Sequence, residues 1–383
     1  MEIYLDNAAT SWPKPETVYK AVNDFMRNIG TSSGRGAYRR ALKADETVFE
    51  TRSLIARLFN IADVSRVVFS PNATEAINLA VKGMVGPGDR VVTTGMEHNA
   101  VWRCLKTLER GSGIDLVVVP CDREGKLDLE AMRKAVTPAT RLVVMTHASN
   151  VTGTIMPVEE VGAVTRENGI PLLVDTAQTA GVLPIDVERL QIDMLAFSGH
   201  KGLLGPQGTG GLYIREGLEL MPLKEGGTGS DSMLEYQPEH LPDRFEAGTQ
   251  NVAGIAGLGA AVQFILNESV AKIREREMQL TQYLLDFLIT AAGITTYGPA
   301  SAEEKVGVVS FNLDGAKPER VAQVMDRDFG VLVRAGIHCA PSAHRTIGTG
   351  EIGTVRVGLG YFNSERDIDY LAHCVRQARR QIS

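Results

Sequence analysis

The stretch Phe197-Ser198-Gly199-His200-Lys201-Gly202 begins with the last two residues of an apolar run, Asp193–Ser198. We predict that this run is a buried strand. In open α/β folds, ligands bind beyond the carboxyl ends of the parallel strands. A lysine directly after such a strand is therefore placed at the ligand-binding edge of a sheet. A lysine at this position does not by itself indicate a binding site, because most lysines are exposed and belong to no site. The interpretation depends on which other side chains reach the same edge.

Short apolar runs alternate with amphipathic stretches from about residue 60 to residue 215. They are rich in Val, Leu and Ile, which is typical of strands buried on both faces of a sheet. Besides Asp193–Ser198, the runs are Arg66–Ser70, Arg90–Thr94, Ile114–Pro120, Arg141–Thr146 and Pro171–Asp175. This alternation predicts an α/β fold with a mainly parallel sheet. Gly210–Ile214 follows too soon for a crossover helix and is expected to add an antiparallel strand.

The second part of the chain has a less regular pattern. A glycine-rich stretch at 225–232 and a loop through Pro242 precede two helical segments, and shorter strands and helices follow. We predict a large α/β domain at residues 15–264 and a smaller α+β domain formed by residues 1–14 and 265–383. The residues 348–353 spell G-x-G-x-x-G, but a strand-like run follows them where a dinucleotide site needs a helix. We therefore predict a loop there.

The composition excludes several classes of protein. Of the 383 residues, 44% are hydrophobic and 22% charged, which is typical of globular proteins and not of disordered or disulfide-scaffold chains. The net charge of -6 argues against nucleic acid as a partner. Four scattered cysteines show no metal-ligand spacing and indicate free thiols in a reducing cytoplasm. With no signal-peptide pattern and no apolar run long enough to span a bilayer, we expect a cytoplasmic protein without a membrane partner.

Other chemically useful side chains follow the remaining predicted strands. Asp175 ends one strand, where it could keep a bound pyridine nitrogen protonated, although Asp is also a common helix cap. The stretch Ser70–Glu75 opens a helix whose free backbone amides suit a phosphate. His98 and Asn150 follow two further strands. A phosphate site, a flat ring, an acid and Lys201 are the parts needed to bind pyridoxal phosphate.

Seven motifs occur in order along most of the chain: LDNAAT (5–10), NATEAIN, MEH, HASNVTGT, VDTAQ, SGHKGLLGPQG and RFEAGTQN. With them the sequence resembles the class V aminotransferase family of pyridoxal phosphate enzymes. Within that family it resembles the cysteine desulfurase and selenocysteine lyase branch, and is closer to its group II. The resemblance implies an aspartate-aminotransferase-like fold of type I.

The resemblance also implies roles around the cofactor ring. Lys201 would bind pyridoxal phosphate covalently, and Asp175 would pair with the pyridine nitrogen. His98 would stack on the ring, and Gln178 would reach its phenolic oxygen.

Further positions match the family's phosphate and substrate sites. The phosphate positions are Ala73, Thr74, Ser198 and His200. Thr249 matches a residue that reaches the phosphate of the neighbouring subunit, which implies a homodimer. Asn150 and Arg356, together with Arg334, match groups around the substrate carboxylate, for which a guanidinium is well suited.

The sequence Arg334-Ala-Gly-Ile-His-Cys-Ala-Pro341 resembles the group II active-site loop. It differs from that loop at Ile337, where the group usually has a second histidine. The segment 226–232 also differs from the short form that is usual in the family. The resemblance implies that Cys339 takes sulfur from L-cysteine as a persulfide, leaves L-alanine, and passes the sulfur to an acceptor protein. A free thiol has a pKa near 8.5, so we expect Arg334 and His338 to favour its thiolate.

Three alternatives remain open from the sequence. The first is a selenocysteine lyase, which carries out the same chemistry on L-selenocysteine. The second is another class V reaction, such as transamination or β-elimination, in which Cys339 is a small hydrophobic bystander. The third is a cofactor-binding scaffold or sulfur-relay partner with little turnover. The other cysteines, Cys104, Cys121 and Cys374, are interpreted as packing residues.

Overall fold

A computed structural model describes residues 2–34 and 36–382. The strands are β1 (Ile3–Tyr4), β2 (Val67–Ser70), β3 (Arg90–Thr94), β4 (Asp115–Val119), β5 (Thr140–Thr146), β6 (Leu172–Asp175), β7 (Met194–Ser198), β8 (Gly210–Ile214), β9 (Ile294–Tyr297), β10 (Val308–Leu313), β11 (Val331–Leu332), β12 (Arg334–Gly336) and β13 (Thr354–Gly358). The α-helices are α1 (Glu16–Asp24), α2 (Arg39–Phe59), α3 (Ala73–Met84), α4 (Asn99–Ser112), α5 (Leu129–Ala135), α6 (Val158–Glu167), α7 (Val252–Glu268), α8 (Val270–Thr290), α9 (Pro318–Phe329), α10 (Pro341–Thr346) and α11 (Glu365–Ile382). All the predicted apolar runs are strands.

The large sheet has seven strands in the order β2-β8-β7-β6-β5-β3-β4. Strand β8 is antiparallel to both of its neighbours, and the remaining pairs are parallel. The mainly parallel sheet and the antiparallel strand at Gly210–Ile214 confirm the predicted α/β fold. The parallel strands end at one edge, so the loops that follow β3, β5, β6 and β7 lie together.

The strands of this sheet are buried on both faces because successive side chains point to opposite sides. In β2, Val67 and Phe69 belong to one buried cluster, to which α2 and α7 contribute. Val68 belongs to a second cluster, on the side of α3 and α4. This arrangement explains the continuous apolar runs in the sequence.

A second sheet has four antiparallel strands in the order β12-β13-β10-β9. Helices α8, α9 and α11 pack against it, and Ile3 of β1 and Val331 of β11 belong to the same buried core. The N-terminal strand β1 pairs with β11, about 330 residues further along the chain. This pairing holds the segment after β1 against the second sheet. The domain boundaries near residues 14 and 264 stay a prediction.

Two further sequence predictions concern loops and helices. The residues 348–353 lie in a loop between α10 and β13, so the predicted loop followed by a strand is confirmed. Within residues 2–34 and 36–382, no single helix is both long and apolar enough to cross a membrane. Helices α7 and α8 meet that test of length and composition only as a pair bent by 81°.

Candidate active site

A cavity of about 190 Å³ lies at the carboxyl edge of the large sheet. It is lined by nine of the residues that the sequence points to: Ala73, Thr74, His98, Asn150, Asp175, Gln178, Ser198, His200 and Lys201. They come from the ends of β6 and β7, from the loops after β3, β5, β6 and β7, and from the first turn of α3. The parallel sheet therefore brings together residues that are distant in sequence.

Lys201 is positioned to act as a neutral amine. The pKa of its amine is lowered to about 8, chiefly by burial and with a smaller contribution from the charges of Arg356 and Arg334, while Asp175 acts in the opposite direction. A substantial fraction of the side chain is then unprotonated near neutral pH. An unprotonated amine can attack a carbonyl carbon or accept a proton.

Asp175 is a buried carboxylate at the end of β6. Its Oδ1 accepts a hydrogen bond from the amide of Ala177 at 2.9 Å. Burial raises the pKa of this carboxyl, while the Ala177 amide and the charge of Lys201 act in the opposite direction. Such a group pairs best with a cationic N–H partner, because a buried carboxylate needs a compensating charge.

His98 lies in the cavity as a neutral ring. Burial lowers its pKa to about 3, and the nearby cations Lys201 and Arg334 add to the effect. Its Nδ1 accepts a hydrogen bond from the amide of Ala100 at 3.0 Å, which caps α4. In a neutral imidazole the proton then sits on Nε2. Such a ring can stack on a flat ligand without the cost of a buried charge.

The first turn of α3, which lines the cavity through Ala73 and Thr74, is suited to an anion. The side chain of Asn72 caps α3 by accepting from the amide of Glu75 at 2.9 Å. The preceding amides, those of Ala73 and Thr74, have no partner within the helix, as at every helix start. His200 adds a buried Nδ1 atom without a hydrogen-bond partner. Backbone amides at a helix N-terminus are a general site for phosphate.

Arg356 is almost fully buried, with 1% of its surface exposed, and lies within electrostatic range of Lys201. Its guanidinium donates to Asp6 at 2.7 Å and to the carbonyl of Asn150 at 3.0 Å. Within residues 2–34 and 36–382, its Nε has no hydrogen-bond partner, and neither does Oδ1 of Asn150. These unused atoms can contact a carboxylate and an amine.

Cys339 is an exposed thiol in the turn between β12 and α10. The guanidinium of Arg334 lies 3.8 Å from the Sγ of Cys339. Both residues lie close enough to Lys201 to affect it electrostatically. The turn is tied to the cavity by two hydrogen bonds of 2.7 Å, from the amide of Asn99 to the carbonyl of Cys339 and from the side chain of Asn150 to the carbonyl of His338.

The backbone of this turn is held in an uncommon conformation. His338 and Cys339 both have left-handed backbone angles, with φ of 49° and 57°. Residues other than glycine adopt such angles at a cost of roughly 1–3 kcal/mol each, and they cluster at functional sites.

One expectation about this turn is wrong. His338 is buried, and its Nε2 lies 3.1 Å from the carbonyl and from the hydroxyl of Thr354. Burial, with the charge of Arg356, lowers its pKa to about 2. The ring is therefore neutral and brings no positive charge to the Cys339 turn.

Thr249 lies apart from the other predicted site residues. It is exposed and lines a separate surface cavity, with Ser70, Glu75 and Gly208 among its neighbours. A buried ion pair between Glu246 and Arg52, with an N–O distance of 2.6 Å, anchors the start of its loop to α2. The side chain is therefore presented outward, next to the amino end of α3.

Sequence reasoning assigned no role to two further residues. Asp6 holds Arg356 although the two are 350 positions apart, and only its place in the LDNAAT motif hinted at a role. Glu97, directly before His98, is fully buried and accepts hydrogen bonds from Thr94 and from the amide of Thr146. Burial raises the pKa of its carboxyl to about 8.

The donor set of the cavity fits pyridoxal phosphate. It offers a buried acid for a pyridine nitrogen, a neutral imidazole for the ring, an unprotonated lysine for the aldehyde and helix amides for the phosphate. The described part of the chain contains no group of three or more His, Cys, Asp or Glu that could hold a metal ion.

The profile of the Aminotransferase class-V family matches residues 3–371. A probable cysteine desulfurase of Methanothermobacter thermautotrophicus is 36% identical, over 98% of this chain and 94% of that protein. A cysteine desulfurase of Salmonella agona is 35% identical, over 99% of this chain and 94% of that protein. The solved apo structure of the cysteine desulfurase from Thermococcus onnurineus NA1 superposes with a TM-score of 0.92 at 34% identity, covering all of this chain and 94% of that one.

Proposed function

The chain belongs to the class V aminotransferase family, and we propose that it is a pyridoxal-phosphate-dependent cysteine desulfurase. It converts L-cysteine into L-alanine and holds the sulfur on Cys339 as a persulfide. The observation that carries the proposal is the exposed Cys339 thiol, held beside Arg334 in a strained turn that is hydrogen-bonded to the cavity of Lys201. Similarity to cysteine desulfurases over nearly the whole chain supports the same reaction.

The cavity residues would hold the cofactor as follows. Lys201 would bind its aldehyde, Asp175 its pyridine nitrogen and Gln178 its phenolic oxygen, while His98 would cover the ring. The phosphate would be held by Ala73, Thr74, Ser198 and His200. When bound, pyridoxal phosphate supplies an electron sink for the electron pair left at the substrate Cα.

Lys201 then acts as the base at the substrate Cα. Its pKa of about 8 leaves it able both to take up the Cα proton and to release it again near neutral pH. Arg356, fixed by Asp6, would bind the substrate carboxylate together with Arg334 and Asn150. Held in this way, the substrate would have its sulfur on the side of the Cys339 turn.

Sulfur transfer follows from the position of Cys339. Its thiolate, stabilised by Arg334, attacks the substrate sulfur, so that an S–S bond forms as the Cβ–S bond breaks. The electron pair of the broken bond stays with carbon, and a proton completes the methyl group of alanine. The sulfur is oxidised as the carbon is reduced, so the step consumes no external oxidant. The persulfide is then passed to a thiol of an acceptor protein, which places the reaction in sulfur mobilisation.

The proposal includes the assembly and location of the protein. A homodimer would bring the outward-facing Thr249 to the phosphate site of the neighbouring subunit. Residues 15–264 would form the cofactor-binding domain, and residues 1–14 with 265–383 the smaller one. A cytoplasmic location fits, because a reducing compartment keeps the Cys339 thiol free for the reaction.

The test is to mix the purified, cofactor-loaded protein with L-cysteine and a thiol reductant and to measure alanine and sulfide together. We expect equal amounts of both products. Cys339→Ala should lose both while keeping the visible absorbance of the cofactor, and Cys121→Ala, at a half-buried cysteine outside the site, should keep both activities. L-selenocysteine is assayed in parallel.

The other outcomes identify the alternatives. Selenide release that persists in Cys339→Ala, without sulfide from L-cysteine, would replace the proposal with a selenocysteine lyase. Keto-acid formation without alanine would indicate transamination or β-elimination. Turnover of neither amino acid by a protein with a cofactor spectrum would leave a binding scaffold.

A further inference from the structure

The surface around the Cys339 thiol is rich in positive charge, although the chain as a whole is not. Two segments border the thiol, helix α4 and the residues 334–346, and the amide of Asn99 joins them by donating to the carbonyl of Cys339. The whole chain has 40 lysines and arginines against 46 acids. These two segments together contain one carboxylate, Glu109, and five cations, which form the basic surface: Arg103, Lys106, Arg110, Arg334 and Arg345.

Three cations of the basic surface share one face of α4. Arg103, Lys106 and Arg110 are all exposed, and they are spaced three and four positions apart, so they lie on the same side of the helix. Asn99, which contacts the Cys339 turn, begins this row. At about 1.5 Å per residue, the row extends about 17 Å away from the turn.

The indole of Trp102 connects this row to α10. The guanidinium of Arg345 lies 5.5 Å from the centre of the indole ring, and the ammonium of Lys106 lies 6.0 Å from it. A cation over an aromatic ring is held in place by the negative face of the ring. Arg345 stays exposed, so its charge is held at the protein surface close to the thiol.

The protein neutralises little of this charge. Lys106 forms an ion pair with Glu109, one turn further along α4. In the part of the chain that the structure describes, Arg103 and Arg345 have no carboxylate within ion-pair distance, and Arg334 faces the Cys339 thiol. A partner with negative charge would therefore be attracted to the thiol.

We propose that the basic surface docks the protein that accepts the sulfur, and that this acceptor carries its reactive cysteine among carboxylates. The inference deepens the proposed function and rests on it, because it takes Cys339 as the carrier of a persulfide. Opposite charges on the two proteins would speed their encounter and turn the acceptor cysteine toward Cys339.

The transfer step is balanced without a further reagent. The acceptor thiolate attacks the outer sulfur of the persulfide, so that a new S–S bond forms as the bond to Sγ of Cys339 breaks. The electron pair stays with Sγ as a thiolate, beside the guanidinium of Arg334. The acceptor cysteine becomes the persulfide, and Cys339 is ready for the next substrate.

The size and composition of the surface favour a protein over a small thiol or RNA. A row about 17 Å long is more than a small thiol can contact. Tryptophan and arginine are the side chains most enriched where protein interfaces bind tightly. RNA would be repelled by the rest of the chain, whose net charge is -6. None of these residues lines the cavity next to Thr249, where the proposed homodimer contact lies.

The test measures how fast Cys339 of the cofactor-loaded protein reacts with synthetic peptides of different charge. Each peptide has one cysteine, flanked by aspartates, serines or lysines and activated as a mixed disulfide with a thiopyridyl group. The Cys339 thiolate attacks the peptide sulfur, the thiopyridine leaves, and its absorbance gives the rate. Cys339→Ala supplies the background. Each rate is divided by that of the same peptide with mercaptoethanol, which corrects for intrinsic reactivity.

We expect the aspartate peptide to react about tenfold faster than the serine peptide at about 0.01 M ionic strength, where the Debye length is about 30 Å. At about 1 M, where it is about 3 Å, the difference should disappear. The double variant Arg103→Gln/Arg345→Gln should slow the aspartate peptide about fivefold and the serine peptide by less than about twofold, because Arg334 still contacts the thiol. The matched control is Arg366→Gln, at an exposed arginine on α11, which should behave like the wild type.

Four outcomes would overturn the inference. The first two are equal rates for the three peptides and an aspartate preference that survives in the double variant. The third is an equal preference for mercaptosuccinate activated in the same way, which would assign the surface to a small acidic thiol. The fourth is protection of the thiol by single-stranded RNA without any peptide preference, which would assign it to nucleic acid.

Failure of this inference and failure of the proposed function are distinguishable. The exchange with the peptides needs neither L-cysteine nor turnover, so loss of the desulfurase reaction leaves the readout intact. Conversely, equal peptide rates would remove the docking surface while alanine and sulfide formation still depends on Cys339.

Discussion

The lowered pKa of Lys201 predicts its reactivity in the cofactor-free protein. A lysine in water has a pKa near 10.5, whereas burial and two arginines bring that of Lys201 to about 8. Only the neutral amine reacts, and it predominates above the pKa. At about pH 7.4 about a fifth of Lys201 is then neutral, roughly 250 times the fraction of an ordinary lysine. Its reactivity should rise about tenfold per pH unit below the pKa and level off above about pH 8.

The assay is a brief pulse of acetic anhydride at a series of pH values, with acetylation of each lysine measured by peptide mass spectrometry. Lys20, an exposed lysine on α1, supplies the reference reactivity in the same sample. Asp175→Asn removes a charge that raises the pKa of Lys201, so the plateau should begin at a lower pH. A Lys201 profile that still climbs between pH 9 and pH 10 would refute the reasoning from burial.

Two other predictions test the groups that support the site. Glu246→Gln leaves the buried Arg52 guanidinium unpaired, so we expect a loss of about 3–5 kcal/mol of unfolding free energy, or about 4–6 °C in Tm for a chain of this length. The control is Glu75→Gln, which breaks a more exposed ion pair with Lys224, and calorimetry should show that it lowers the unfolding free energy by less than about 1 kcal/mol. Equal losses in the two variants would contradict a stabilising role for the Glu246–Arg52 pair. Arg334→Ala should slow iodoacetamide labelling of Cys339 about fivefold near neutral pH, the effect of roughly 1 kcal/mol; an unchanged rate would remove Arg334 from thiolate stabilisation.

The large sheet was predictable because its signal is local. Strands buried on both faces must be apolar throughout, and this pattern predicted β2 to β7 to within two residues at each end. Helices α1 and α2 have no counterpart in those predictions. Each has exposed large apolar side chains, such as Tyr19 and Phe49, which blur the usual division into a buried and an exposed face.

The candidate site was predictable in composition but less so in electrostatics. Motifs and strand ends identified the residues around Lys201, because parallel strands bring their carboxyl ends to one edge. The charge state of His338 could not be predicted from the sequence, because it depends on burial against Thr354, sixteen positions away. A histidine next to a cysteine in sequence indicates nothing about which way its ring turns.

The sequence by itself determined the α/β fold, the family motifs and the identity of the lysine, acid and thiol, because each is carried by neighbouring residues or by short periodic patterns. The tertiary structure decided how these groups are tuned. The pairing of Asp6 with Arg356, the buried ion pair of Glu246 with Arg52 and the lowered pKa of Lys201 all arise from contacts between distant parts of the chain. Desolvation and Coulomb interactions depend on distance in space, which no local pattern in the sequence encodes.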